Sequence, residues 1–209
     1  MHFDELIVLL KTSDNAEEIN TRREEIAQII PSVRSMFDYD QQNYAHCYDL
    51  WMHCVHTVIL LPRNLEDGML YLAALLHDIG KPDCRVAGTR EGDTNMHYYG
   101  HPKRSMEIVR DEVIPYLLSS GVNLSEDDRR RLLYYVGWHD DRMSLRMHHL
   151  REHLRIPVSI EEFQKLMLLQ VADAKAHVMI PIVEQRVEIC EKLAGEYGLE
   201  LYRRILSGE

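Results

Sequence analysis

The fold of this chain turns on one stretch, Leu72-Ala73-Ala74-Leu75-Leu76-His77-Asp78-Ile79-Gly80-Lys81-Pro82. An apolar run with helical spacing ends in a histidine beside a carboxylate, followed by Gly, Lys and Pro. Adjacent helical residues point about 100° apart, so His77 and Asp78 can lean toward a common point only where the helix ends. Gly80 is expected to let the chain turn, and Pro82 to keep the helix from resuming. A buried imidazole beside a buried carboxylate is costly without a partner, and a divalent cation satisfies both. A helix end closed by a simple His-Asp hydrogen bond would leave the same trace, so the remainder of the chain has to discriminate.

Its 209 residues suit one domain spanning 1–209, and 45% hydrophobic side chains are enough to fill a core. No apolar run approaches the ~18 residues of a membrane span. The N-terminus is acidic where a signal peptide would be basic, so a cytoplasmic location is expected, with no membrane partner. With 34 acidic against 24 basic side chains the net charge is −10, which argues against strong binding to long nucleic acid. Four cysteines form no CxxC pair, which predicts free thiols. The anomaly is twelve histidines, all but His2 grouped at 46–56, 77, 97–101, 139–153 and 177. Histidines scattered over the ends of apolar helices are what a site assembled from several helices looks like in sequence.

Period-two alternation is absent, which predicts an all-α fold without strands. Apolar spacing, caps and breakers place helices over 3–11, 16–30, 44–61 and 65–78. Further helices follow over 103–118 (bent or trimmed near Pro115), 125–138, 159–179 and 182–206 (interrupted near Gly195 or Gly198). Residues 80–100 form a long irregular stretch, unusual inside a compact domain unless it covers a site.

Several residues could join the His77-Asp78 pair. On one helix over 44–61, His46 and His53 would be seven apart on a common face, with His56 beside His53. Asp173 is a lone acid in an apolar, small-residue helix, where an unpaired carboxylate carries a large desolvation cost. An ion pair with Lys175 or Arg155 is its alternative. His101 is fixed at a helix start by Pro102, and His139 follows Trp138 at the far end of an apolar helix.

The order His53, His77-Asp78, Asp173 resembles the HD superfamily of metal-dependent phosphohydrolases. The flanking stretches Gln42-Asn43-Tyr44, Asp49-Leu50-Trp51-Met52-His53, Tyr98-Tyr99-Gly100-His101 and Val171-Ala172-Asp173-Ala174-Lys175-Ala176 are similar to the HD domain of some bacterial CCA-adding tRNA nucleotidyltransferases. The likeness runs over about 42–178 without a nucleotidyltransferase domain, so the chain reads as a free-standing HD domain. The resemblance implies an HD-domain helical bundle with one metal held by His53, His77, Asp78 and Asp173. Two-metal members add two histidines between the HD pair and the last Asp, with the HD aspartate bridging, and His101 and His139 stand in those intervals. His56 is then expected behind the site or in the core. The implied cofactor is one or two divalent ions, Fe, Mn, Ni, Co or Mg, since one His/Asp set accepts them all.

The same resemblance implies a phosphomonoesterase or 2′,3′-cyclic phosphodiesterase acting on nucleotides or RNA-end phosphates. Nucleoside triphosphate or alarmone hydrolysis, and a non-catalytic metal- or nucleotide-binding regulator, are the alternatives. Asp78, Lys81 and His101 are the expected catalytic groups. Lys81 could reach a phosphate oxygen or merely place charge at a helix C-terminus. His97 and His101 could protonate a leaving oxygen. Residues 142–155 carry Arg142, Arg146, Arg151 and Arg155 against one acid, Glu152. If helical, the pairs 142/146 and 151/155 form stripes that grip further phosphates, with Arg142 and Arg146 binding substrate. A solvated face pairing with acidic helices is the other possibility.

Overall fold

Two helices that are apolar nearly all round occupy the centre of the molecule, and a helix of that kind has to be surrounded. The computed structural model describes residues 1–63 and 65–208. Within them α1 (Phe3–Thr12), α2 (Ala16–Asn20) and α3 (Arg23–Ile29) lead into α4 (Leu50–Leu60) and α5 (Gly68–Leu76). Every side chain of α5 from Met69 to Leu76 is buried. Around α5 pack α1, α4, α8 (Glu126–Trp138) and α10 (Ile160–Lys175). The chain between runs through β1 (Val86–Ala87), β2 (Met96–His97), α6 (His101–Ile108) and α7 (Ile114–Ser119); α9 (Met147–His153) follows α8. Next to α10 lies α11 (Pro181–Ala194), and α12 (Glu196–Ser207) follows it. The fold is all-α, as expected. No helix among the described residues is long and apolar enough to cross a membrane.

The start of α5 is anchored as firmly as its end. Asp67 accepts from the Met69 amide at 3.2 Å and so caps the helix. Its carboxylate, itself buried, also takes Arg131 of α8 at 2.7 Å, Lys165 of α10 at 3.3 Å and the Tyr135 hydroxyl of α8 at 2.9 Å. A buried acid compensated on three sides ties three helices together at the end of α5 remote from His77.

Several elements differ from expectation, each for a physical reason. The 16–30 helix breaks at Thr21-Arg22, where the Thr21 hydroxyl binds the Glu17 carbonyl at 2.9 Å and offers the backbone an alternative. Residues 44–49 are turns, because Asp49 caps the helix by accepting from Met52 at 2.7 Å. His46 therefore shares no helix with His53. Likewise α5 begins at its Asp67 cap rather than at 65 and stops at Leu76, α6 begins at His101, and α10 stops at Lys175 instead of 179. The 103–118 helix widens into a π turn over Val109–Val113 directly before Pro115, which has no N–H to give. The 182–206 helix breaks at Gly195, one of the two glycines named.

The strand-free expectation is also corrected: Val86 pairs with His97 and Ala87 with Met96 in an antiparallel ladder. Two residues per strand are too few to leave a period-two trace. In the basic segment only Met147–His153 is helical, so 142/146 and 151/155 do not form stripes on a common helix.

Gly80 is needed for a reason other than turning. A Cβ there would lie 2.5 Å from the Ser105 amide nitrogen and 2.8 Å from the Arg104 carbonyl carbon. Its own N–H donates to the Ser105 hydroxyl at 2.9 Å. Glycine thus lets the segment after α5 lie against the backbone of α6, the helix that begins with His101. Gly80→Ala is expected to cost about 1–3 kcal/mol of stability through this overlap, read as a lower denaturant midpoint; an unchanged midpoint would contradict it.

Candidate metal centre

Three of the histidines stand at helix ends and share one local device. His77 follows the last residue of α5, His139 follows α8, and His101 opens α6. Their Nδ1 atoms lie 2.8 Å from the Ala74 carbonyl, 2.7 Å from that of Val136 and 2.8 Å from that of Tyr98. A carbonyl can only accept, so each Nδ1 carries the proton. For His77 and His139 the acceptor is one of the carbonyls that a helix C-terminus leaves without an intrahelical partner. The protonated Nδ1 leaves each Nε2 as a lone pair aimed away from its own helix.

Those lone pairs converge on two buried carboxylates. His77 Nε2 is 3.3 Å from Asp78 Oδ2 and 3.5 Å from Asp173 Oδ1. His53, from the middle of α4, places Nε2 at 3.1 Å from Asp173 Oδ1 and 3.4 Å from Asp78 Oδ2. On the other side of Asp78, Oδ1 faces His101 Nε2 at 3.1 Å and His139 Nε2 at 3.4 Å, with 3.1 Å between the two imidazoles. The six residues expected to hold metal are therefore brought together as two groups that share Asp78.

A divalent cation fits this arrangement. His77 Nε2 and Asp78 Oδ1 are buried and have no hydrogen-bond partner, and an unpaired buried polar atom is expensive. Neutral imidazole nitrogens facing carboxylate oxygens are lone pairs opposed to lone pairs, which only a proton or a cation between them relieves. Donors bound to one ion at about 2.1 Å stand roughly 3.0 to 3.4 Å apart in octahedral or tetrahedral shells. The observed separations lie close to that interval. Imidazole and carboxylate donors suit Mn, Fe, Co, Ni or Zn, and the carboxylates alone suit Mg.

The charges are balanced by residues around the groups. Burial opposes a charge on Asp78, but His77, Lys81 and His101 outweigh it and hold the carboxyl well below its usual range. Asp173 is likewise held low, by His177, His53 and His77 against burial. Burial disfavours charge on His77 too, yet Asp78, with Cys54 and Asp173, raises its imidazole well above the ordinary value. His139 is lowered by burial. Lys81, itself buried, sets Nζ 2.7 Å from Asp78 Oδ2 and 2.9 Å from Gln41 Oε1, and so is engaged within the cluster rather than free at its mouth.

Other expected residues fall on either side of the site boundary. Arg142 lines the cavity beside the cluster, along with Asp78, Lys81, His101 and His139; Arg146 does not line it. His97 lines the cavity as well, its Nε2 2.8 Å from Asp93 Oδ2. His56 stacks on Tyr48 with ring centroids 4.0 Å apart, outside both groups. Lys175 pairs with Glu191 at 2.7 Å, so it is not the partner of Asp173.

Sequence reasoning missed two contributors, Arg186 and His177, and placed His46 on the wrong element. Arg186 of α11 donates to Asp140 at 2.9 Å and to the His139 carbonyl at 2.8 Å, and stands 3.6 Å from Asp173 Oδ2. His177 donates from Nδ1 to the Asp173 carbonyl at 2.8 Å, and burial lowers it to about 4. His46 reaches the same place by tertiary routing, its ring centroid 4.4 Å from His177 and 5.1 Å from His53. The only sequence signal for His177 was its membership of the unusual histidine set. For Arg186, on an exposed-looking helix face, there was none.

The model of the HD domain family matches residues 43–194. The chain belongs to the HD family. HD domains are in general metal-dependent phosphohydrolases, and the His53, His77 and Asp173 cluster is one that could hold a metal ion. No curated protein matches the chain.

A pH dependence follows from these charges. Without metal, His77 keeps its proton to higher pH than an ordinary imidazole, and a cation has to displace that proton. Binding of Mn²⁺ is expected to release a proton and to weaken as pH falls. Calorimetric titration in buffers of different ionisation enthalpy checks this; a buffer-independent enthalpy together with pH-independent affinity would contradict it.

Proposed function

We propose that the protein is a phosphomonoesterase or 2′,3′-cyclic phosphodiesterase acting on nucleotides or on RNA-end phosphates. One observation carries the reading: the two oxygens of Asp78 face two different imidazole sets, with an open cavity beside them. Bound divalent cations supply Lewis acidity there, toward a phosphoryl oxygen and toward water. His53, His77, Asp78 and Asp173 would hold one, and Asp78, His101 and His139 a second.

The remaining residues bind and orient. Arg142 and Arg186 line the cavity and present positive charge to an anionic substrate in a chain whose net charge is −10. Lys81 fixes Asp78 Oδ2 and, through Gln41, joins Tyr98, whose hydroxyl donates to the Gln41 carbonyl at 2.5 Å. An ammonium in that position also leaves the buried carboxylate charge compensated when a phosphate approaches. The likeness to the HD domain of CCA-adding enzymes supports nucleotide or RNA-end substrates over triphosphates or alarmones.

The test is a panel of phosphoesters, including nucleoside monophosphates, 2′,3′-cyclic monophosphates, triphosphates and an alarmone, assayed with and without Mn²⁺ or Ni²⁺. Metal-dependent turnover of the first two classes is expected. Asp78→Ala should lower it by at least about a thousandfold, through loss of several kcal/mol of charge stabilisation. Lys81→Met should cost about 10- to 100-fold in activity or metal affinity, the usual effect of removing a group that orients a ligand. Turnover confined to triphosphates or alarmones, or none on any phosphoester, defeats the proposal.

A further inference from the structure

The cavity beside the metal centre has a second chemical character on its outer wall. Tyr99 lines it together with Asp78, His101 and His139, yet is 76% exposed. The ring is braced all the same. It lies parallel to the His97 imidazole, 2° between planes and 5.4 Å between centroids. His97 is held in turn by the ladder pair with Val86 and by Asp93 at 2.8 Å. Asp93 is fixed by the Asn95 amide and side chain, each donating to its Oδ1 at 3.0 Å.

The braced imidazole thus runs parallel to the Tyr99 ring, whose exposure leaves a face open to a ligand. Along the chain His101, which meets Asp78 Oδ1, is only two residues away. Two extended residues span at most about 7 Å between Cα atoms. Asp78 and Tyr99 line the same cavity, so a phosphate seated at Asp78 leaves the open face of Tyr99 to the rest of a nucleoside in that cavity. Tyr98, between the two, is buried and bonded to Gln41, which holds this short segment in place.

We propose that Tyr99, backed by His97, is a stacking platform for the nucleobase of the substrate, and that the site thereby selects phosphoesters carrying a planar aromatic base over those of bare sugars. The inference rests on the phosphohydrolase reading and adds to it the group that recognises the substrate. Stacking uses the π face that every base has, so purines and pyrimidines are both accepted. A base stacked on one aromatic side chain is worth roughly 5- to 150-fold in affinity.

The test compares AMP with ribose 5-phosphate on the Mn²⁺-loaded full chain, as Kd by calorimetry where there is no turnover and as KM where there is. The wild type is expected to favour AMP by at least about fivefold. Tyr99→Ala should bring the ratio close to one, and Tyr99→Trp should keep it, with bound Mn²⁺ unchanged in both by elemental analysis. Equal binding of the two ligands by the wild type, or an undiminished ratio in Tyr99→Ala, overturns the platform. An intact, Tyr99-dependent AMP preference without turnover of any phosphoester would sink the hydrolase reading and leave the platform standing. Turnover with no preference for AMP would do the reverse.

Discussion

Two carboxylates, Asp78 and Asp173, sit in the helical core with almost no access to water. Everything near them answers to that fact. Taking such charges out of water costs several kcal/mol each, and the protein recovers this only where geometry places compensation on every oxygen. Lys81 stands on one oxygen of Asp78, Arg186 lies toward one oxygen of Asp173, and four imidazoles point at what remains. The set is still incomplete by itself, since Asp78 Oδ1 and His77 Nε2 have no hydrogen bond. Incomplete compensation by protein groups is what leaves the cluster able to take a cation, where a satisfied buried ion pair could not.

The fold meets this demand at its helix ends. An α-helix leaves its last carbonyls unpaired, and His77 and His139 satisfy one each with Nδ1–H. The same bond settles the tautomer and sends Nε2 outward, so capping a helix and presenting a nitrogen that could bind metal are one event. His101 does the equivalent at a helix start by bonding back to Tyr98. Helices α5, α6 and α8 are then packed so that these three termini meet. The close approach of α5 and α6 depends on Gly80, and the opposite end of α5 is pinned to α8 and α10 through Asp67.

Much of this was legible in the chain before folding. The apolar run into His77-Asp78, the lone Asp173 in a small-residue helix, and histidines at helix ends each violate the rule that polar groups stay outside, and violations of that rule are visible in sequence. The capping signals at Ser125 and Ser159 were equally plain, and both close capping boxes. Other features left no trace. Thr21 breaks a helix through a local hydrogen bond that competes narrowly with the ladder, and the hairpin of β1 and β2 is too short to show alternation. His46 looked like a helical neighbour of His53 and is instead a loop residue that arrives beside it.

The sequence by itself determined the helical class, because apolar periodicity is a property of local order along the chain, and its likeness to the HD family pointed to six candidate ligand residues. Only the tertiary structure decided that Asp78 divides its two oxygens between two imidazole sets, and that Lys81 turns inward. It also decided that Arg186 and His177 join the cluster from beyond the HD pair, and that Tyr99 lies over His97 at the cavity wall. Those are distances between residues far apart in sequence or angles between side chains. They are set by how helix termini pack against one another, which no spacing within a single element records.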